Sequence, residues 1–202
     1  MATGKINVSV DNIFPLIKKF LYSDHEIFLR ELISNATDAT LKLKHLTSIG
    51  EAGGTEYGNP IIEVKVDKEG KKIHIIDQGL GMTEDEVKKY INEVAFSGAE
   101  EFLDKYKDSA KDSGIIGHFG FKDEPAVHWS CDGSPNFELE PSDKKERGTE
   151  IILHIADDST EFLEKSRISA LLTKYNKFMP IPIKFGTKTE TLPKPEGAKE
   201  ED

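Results

Sequence analysis

Apolar residues recur at three- and four-residue spacings across 26–45, with Ile27, Phe28, Leu32, Ala36 and Ala39 forming one stripe. That period predicts an amphipathic helix laid against a core. Upstream, Ile6, Val8 and Val10 alternate with polar residues and predict a short, edge-type strand. Asp11 can cap a helix that starts near residue 12, tolerates Pro15 in its first turn and buries Ile13, Leu16, Ile17, Phe20 and Leu21. Gly50, Gly53, Gly54, Gly58 and Pro60 mark the loop that follows the 26–45 helix. Alternation over 61–66 and 72–76 about the turn 67–70 predicts a β-hairpin. Thr83 with Glu86 three residues later is a capping box, opening a helix through about residue 94. A break at 95–99 precedes a short charged helix over 100–107, with Phe102, Leu103 and Tyr106 inward.

From residue 124 the alternation is mainly of the strand type. Runs at 126–131 and 136–140 flank the turn 132–135, which brings Trp129 and Phe137 together. Another strand is predicted over 148–155, a helix over 161–178 and a last strand over 181–185. After Thr187 the chain turns polar, and 188–202 reads as a linker or tail.

A length of 202 residues suits one domain containing both helices and strands. The formal charge of −10 argues against a nucleic-acid surface, which needs clustered Lys and Arg. No stretch has the length and apolarity of a membrane span, and the first residues lack the apolar core of a secretory signal, so a cytoplasmic location is expected. Cys131, the one cysteine, has no partner for an internal disulfide and no surrounding ligand spacing for a metal.

Three stretches carry candidate chemistry. Glu31, Asn35 and Asp38 lie on a stripe beside the apolar one, within side-chain reach of one another. In one reading Glu31 pairs with Arg30 or a lysine, Asn35 bonds locally and Asp38 faces water. In the other, Glu31 is a general base for a water and Asn35 offers its amide oxygen to magnesium, which keeps most of its own waters. The residues alone leave both open. The second stretch, Asp77-Gln78-Gly79-Leu80-Gly81-Met82, follows directly on a strand. An aspartate there can accept from an exocyclic amine, and the glycines let backbone approach a flat ring; ordinary tight turns have the same composition. The third, bounded by Ser97-Gly98 and Gly117-His118-Phe119-Gly120, is hinged at both ends like a lid, and glycine amides can cradle phosphate. A flexible loop accounts for it equally.

Taken together, residues 28–39, Asp77-x-Gly-x-Gly-Met82-Thr83, Gly117-His118-Phe119-Gly120 and Gly148-Thr149-Glu150 occur in the order seen in GHKL ATPases. The first block closely resembles the nucleotide-binding N-terminal domain of the ninety-kilodalton heat-shock chaperones, bacterial HtpG type. The resemblance covers nearly the whole chain and implies an α+β two-layer sandwich, the GHKL or Bergerat fold, with a mainly antiparallel sheet covered by helices on one face. It implies a domain over 1–187 with a lid at about 97–120, followed by the start of a charged linker. ATP or ADP with magnesium is the implied ligand.

Roles follow by position. Glu31 is implied as the base that activates the hydrolytic water and Asn35 as the magnesium ligand, while Asp77 receives the adenine amine, with Gly81, Met82 and Thr149 completing the base pocket. Asp38 and Lys42 line the ribose and phosphates, and Gly117, Gly120 and Phe121 give backbone at the phosphates. The resemblance also implies unfolded or client proteins as partners of the full-length chaperone, a homodimer at full length, a monomeric fragment and very slow hydrolysis. The alternatives are a catalytically silent nucleotide-binding module, another GHKL ATPase of gyrase B or MutL type, or a scaffold domain without ligand. Two departures stand out: Phe96 and Ala99 replace the usual Lys and Thr at the lid hinge, and after Phe121 about twenty residues of the family pattern are absent.

Overall fold

The computed structural model describes residues 26–91, 125–132 and 137–186. The readings placed on 6–10, 12–21, the 97–120 lid with Gly117, Gly120 and Phe121, and the 188–202 linker lie outside the described residues. Within them the order is α1 (Ile27–Ser48), β1 (Ile62–Asp67), β2 (Lys72–Ile76), α2 (Glu84–Tyr90), β3 (Val127–Ser130), β4 (Glu138–Pro141) and β5 (Glu150–His154). A 3-10 helix (Asp157–Leu163), α3 (Lys165–Asn176) and β6 (Ile183–Phe185) complete it.

Four strands form one sheet in the order β5-β2-β1-β6. The β1/β2 hairpin and the β2/β5 pair are antiparallel, whereas β6 runs parallel to β1. The period-two pattern decides which face is buried: Val64 lies opposite both Ile75 and Phe185, and Ile73 lies opposite Leu153. These residues meet Leu29, Ile33 and Ala36 of α1 and Phe162, Ile168 and Leu171 from the later helices in one core. The opposite face carries Glu63, Lys65, His74 and Lys184; Glu63 pairs with Lys65 at 2.9 Å and Lys184 at 2.8 Å. The architecture is therefore α+β with helices covering one face, as the resemblance implied.

The buried stripe of α1 is shifted from the apolar-only reading. Leu29, Ile33, Ala36, Thr40 and Leu43 face the core, while Ile27, Phe28 and Leu32 flank it half-buried. Two threonines belong to the buried face. Thr37 and Thr40 are buried because their hydroxyls donate to the carbonyls of Ile33 and Ala36, each at 2.8 Å, and so carry no unmet polar group inward.

At the start of α1 the Glu26 carboxylate accepts from Lys174 Nζ at 2.8 Å and Tyr175 Oη at 3.0 Å, and it also binds Arg167. Those donors, Lys174 foremost, pull its pKa to about 2, so the tie between α1 and α3 stays ionised at neutral pH. The helix expected over 161–178 is divided at Glu164, whose extended backbone separates the 3-10 helix from α3. The β3/β4 hairpin forms a separate two-stranded sheet, with the rings of Trp129 and Phe137 stacked 6.5 Å apart.

Candidate functional site

The site is built where β2 ends and its chain turns onto α1. Asp77 continues the β2/β5 ladder through its amide, which donates to Thr149 O at 2.9 Å. Its side chain turns inward and is only 5% exposed. Carboxylate oxygen Oδ1 accepts from Gly79 N at 2.8 Å and Thr149 N at 3.2 Å, which fixes the plane of the group. Oδ2 has no hydrogen bond among the described residues. Burial pushes the Asp77 pKa up to about 6, against the pull of the two amides and of the Lys144 charge. The carboxylate at the strand end thus keeps one oxygen open to a further donor.

Two glycines make that packing possible. A Cβ on Gly79 would stand 2.6 Å from the Ala39 carbonyl carbon, and Leu80 N donates to Ala39 O at 3.3 Å, so the turn lies directly on α1. Gly148 has φ +110°, and a Cβ there would come within 2.0 Å of Asp77 O. Gly81, with φ +73°, and Met82 follow on the same turn, both half-buried. Then Thr83 caps α2: its side chain accepts from Glu86 N at 3.3 Å, and Glu86 Oε2 accepts from Thr83 N at 2.7 Å, the reciprocal box read in the sequence.

Because Ala39 sits under Gly79, its neighbours on α1 flank the turn. Asp38 is half-buried, and burial raises its pKa against the attraction of Lys42. Lys42 is 2% exposed, and burial lowers its pKa to about 8 although Asp38 and Glu86 favour its charge. Structure thus brings Asp38, Lys42, Asp77, Gly81, Met82 and Thr149 to one region. Asn35 and Glu31 are exposed, about 6 and 12 Å back along the helix axis from Ala39. Glu31 Oε1 accepts from Arg30 Nη2 at 2.6 Å and Nε at 2.9 Å, as in the first of the two readings of that residue. Gly117, Gly120 and Phe121 lie outside the described residues.

Sequence reasoning missed Arg147. Its Nε donates to Gly79 O at 3.0 Å and its Nη2 to Gln78 O at 3.3 Å, and burial lowers its pKa. No periodicity or motif marks a side chain whose partners are backbone carbonyls. A cavity of about 340 Å³ beside it is lined by Tyr57, Asn59, Pro60, Gln78, Glu146 and Arg147, and does not reach Asp77, Asp38 or Lys42. No described group of three His, Cys, Asp or Glu side chains is placed to hold a metal, and no described helix is long and apolar enough to cross a membrane.

Residues 22–132 match the pattern of the family described as histidine kinase-, DNA gyrase B-, and HSP90-like ATPase. The chain is 54% identical to the chaperone protein HtpG of Porphyromonas gingivalis strain W83, over 93% of this chain and 30% of that protein. It is 53% identical to HtpG of Bacteroides thetaiotaomicron, over 94% of this chain and 30% of the relative. It is 37% identical to an endoplasmin homolog of Dictyostelium discoideum, over 93% of this chain and 28% of that one. The chain therefore spans about three-tenths of the length of these relatives. The aligned stretch with the first, 207 residues, exceeds the 202 of this chain, so that relative carries residues this chain lacks, the direction expected from the short run after Phe121. The strand-end aspartate and its glycine turn lie within the matched residues, and the chain belongs to the histidine kinase-, DNA gyrase B- and HSP90-like ATPase family.

Proposed function

We propose that this chain is the adenine-nucleotide-binding domain of an ATP-dependent chaperone of the HtpG type. The observation that carries the reading is Asp77: buried, oriented by two amides through Oδ1, and with Oδ2 left to accept from an exocyclic amine. Gly81, Met82 and Thr149 complete the base pocket, while Asp38 and Lys42 line the ribose and phosphates. Gly117, Gly120 and Phe121 add backbone at the phosphates. Further along α1, Asn35 offers an amide oxygen to magnesium, and Glu31 orients the attacking water. An exposed amide suits a magnesium ion that keeps most of its waters. Magnesium supplies charge neutralisation at the phosphates when bound.

The wider protein acts on unfolded or client proteins in the cytoplasm as a homodimer, with this piece monomeric and a very slow ATPase. A catalytically silent nucleotide-binding module is the second reading, favoured by one observation: both Nε and Nη2 of Arg30 donate to Glu31 Oε1. Replacing Glu31 with alanine separates the two. On the hydrolase reading, single-turnover ATP cleavage by the chain falls by about a hundredfold or more while magnesium-ADP affinity changes less than about twofold. Cleavage that persists in the variant assigns the water to another group, and a parent that binds but never cleaves is the silent module.

The two shifted groups set a pH window for binding. Oδ2 accepts at full strength when Asp77 is ionised, above about pH 6 without ligand; protonation weakens it as an acceptor and sets an O–H donor against the amine. Lys42 attracts phosphate only when protonated, which holds below about 8. ADP affinity is expected to peak between these values and to decline on both sides. Adenosine, lacking phosphate, isolates the acid limb and loses affinity only as pH falls through about 6. Calorimetric titrations at pH 5, 7 and 9 test this; adenosine affinity flat from 7 to 5 removes Asp77 from the account.

A further inference from the structure

We propose that Arg147 is the positioning residue of the adenine site, the clamp that holds the Asp77 turn in its receiving geometry; this rests on the nucleotide reading above. The turn is fixed from the inside by Asp77 itself, whose Oδ1 takes the amides of Gly79 and Thr149. That leaves the carbonyls of Gln78 and Gly79 to be fixed from outside. Arg147 meets both with one guanidinium, Nε to Gly79 O at 3.0 Å and Nη2 to Gln78 O at 3.3 Å. A planar fork matches two successive carbonyls, which a lysine ammonium cannot do with the same geometry.

Its place in the chain explains the reach. Gly148 passes so close to Asp77 O that no side chain fits there, which brings the preceding residue, Arg147, alongside the turn. Thr149, on the far side of Gly148, holds Asp77 with both of its backbone groups, its N–H donating to Oδ1 and its carbonyl accepting from Asp77 N. Three consecutive residues therefore grip the turn, and Arg147 is the member that does so with a side chain. Gln78 is held a second time, since its Oε1 accepts from Ile61 N at 3.1 Å. With α1 behind Gly79 and β5 beside Asp77, Arg147 adds a hold on the outward carbonyls. A ligand that needs Oδ2 at a fixed point then meets a receptor already in place, so less affinity is lost to ordering on binding.

The test is calorimetric titration of the chain and its Arg147→Ala and Arg147→Lys variants with ADP and IDP, with magnesium present. IDP carries a carbonyl oxygen where ADP has the exocyclic amine, so it cannot make the amine–Oδ2 hydrogen bond. Arg147→Ala is expected to weaken ADP about tenfold while leaving IDP within about twofold, so that the ADP/IDP preference falls about tenfold. Arg147→Lys, which keeps the charge but has a single donor nitrogen in place of the fork, is expected to lie between. Amide exchange at Gly79 and Leu80 in the ligand-free Arg147→Ala chain is expected to speed up by a similar factor. An ADP/IDP preference unchanged in both variants overturns the proposal, even if the melting temperature falls, because a merely structural arginine weakens both nucleotides alike. A parent chain that does not bind ADP overturns the nucleotide reading itself; unchanged amide exchange in the variant would then also remove Arg147 as a clamp.

Discussion

Replacing Gly148 with alanine is expected to cost about 4 kcal/mol or more of folding free energy. Two effects add. At φ +110° an L-residue is strained whatever the space around it, and the new methyl would stand 2.0 Å from Asp77 O and 2.9 Å from Gln78 Cα. Both neighbours are backbone and cannot rotate away, so the Asp77-Thr149 contact must open. Gly50 provides the control. Its φ is +76°, but nothing lies within 4 Å of a Cβ placed there, so Gly50→Ala carries the backbone term alone, about 1–2 kcal/mol. Urea unfolding of both variants measures the difference. Equal losses would mean that close approach to Asp77 is not what reserves residue 148 for glycine.

The second large effect has opposite signs in stability and binding. Asp77→Asn is expected to make the empty chain more stable at neutral pH while weakening ADP about a hundredfold or more. In the folded chain Asp77 keeps its proton up to about pH 6, whereas the ordinary value is 3.8. As pH rises from about 4 to 6 the unfolded chain ionises first, so the folded state loses ground, and above 6 it carries the whole penalty, on the order of 3 kcal/mol. Asparagine keeps an oxygen for the Gly79 and Thr149 amides and has no charge to bury, but its NH2 stands unpaired where Oδ2 was, which returns about 1–2 kcal/mol. The net gain is about 1–2 kcal/mol at pH 7, and below about pH 4 it vanishes and turns into a loss. Urea midpoints at pH 4 and pH 7 measure it. A variant less stable than the parent at pH 7 would show that the buried charge is not the costly element described. Against adenine, the NH2 presents a donor to a donor, the reason the affinity falls.

These two cases mark what a reader of the sequence could see. The hairpin, the capping box of α2 and the strand-end Asp77 are local patterns, each fixed by residues within a few positions of one another, and each stands where periodicity and turn chemistry place it. The α1 stripe was legible in period but not in phase: α1 has apolar residues on two neighbouring stripes, and the buried one, through Leu29, Ile33 and Leu43, also takes Thr37 and Thr40, which count as polar until their hydroxyls are seen returning to the helix's own carbonyls. The parallel pairing of β6 with β1 joins segments more than a hundred residues apart, and nothing local encodes it. Arg147 was hidden for a related reason, as was the close approach to Asp77 that Gly148 makes within its recognised Gly-Thr-Glu block: their partners are backbone atoms of a distant turn, and backbone atoms leave no mark in the pattern of side chains. Glu31 is the converse. Its motif is conspicuous, and its carboxylate is held by its own neighbour Arg30.

The measurement closest to the central claim is calorimetric titration of the 202-residue chain and its Asp77→Asn variant with magnesium-ADP at pH 7. Saturable, one-to-one binding by the parent that the folded variant loses is the predicted result, and it makes the Asp77 turn an adenine receptor. Equal affinity in the two chains, or no binding by a folded parent, would contradict it.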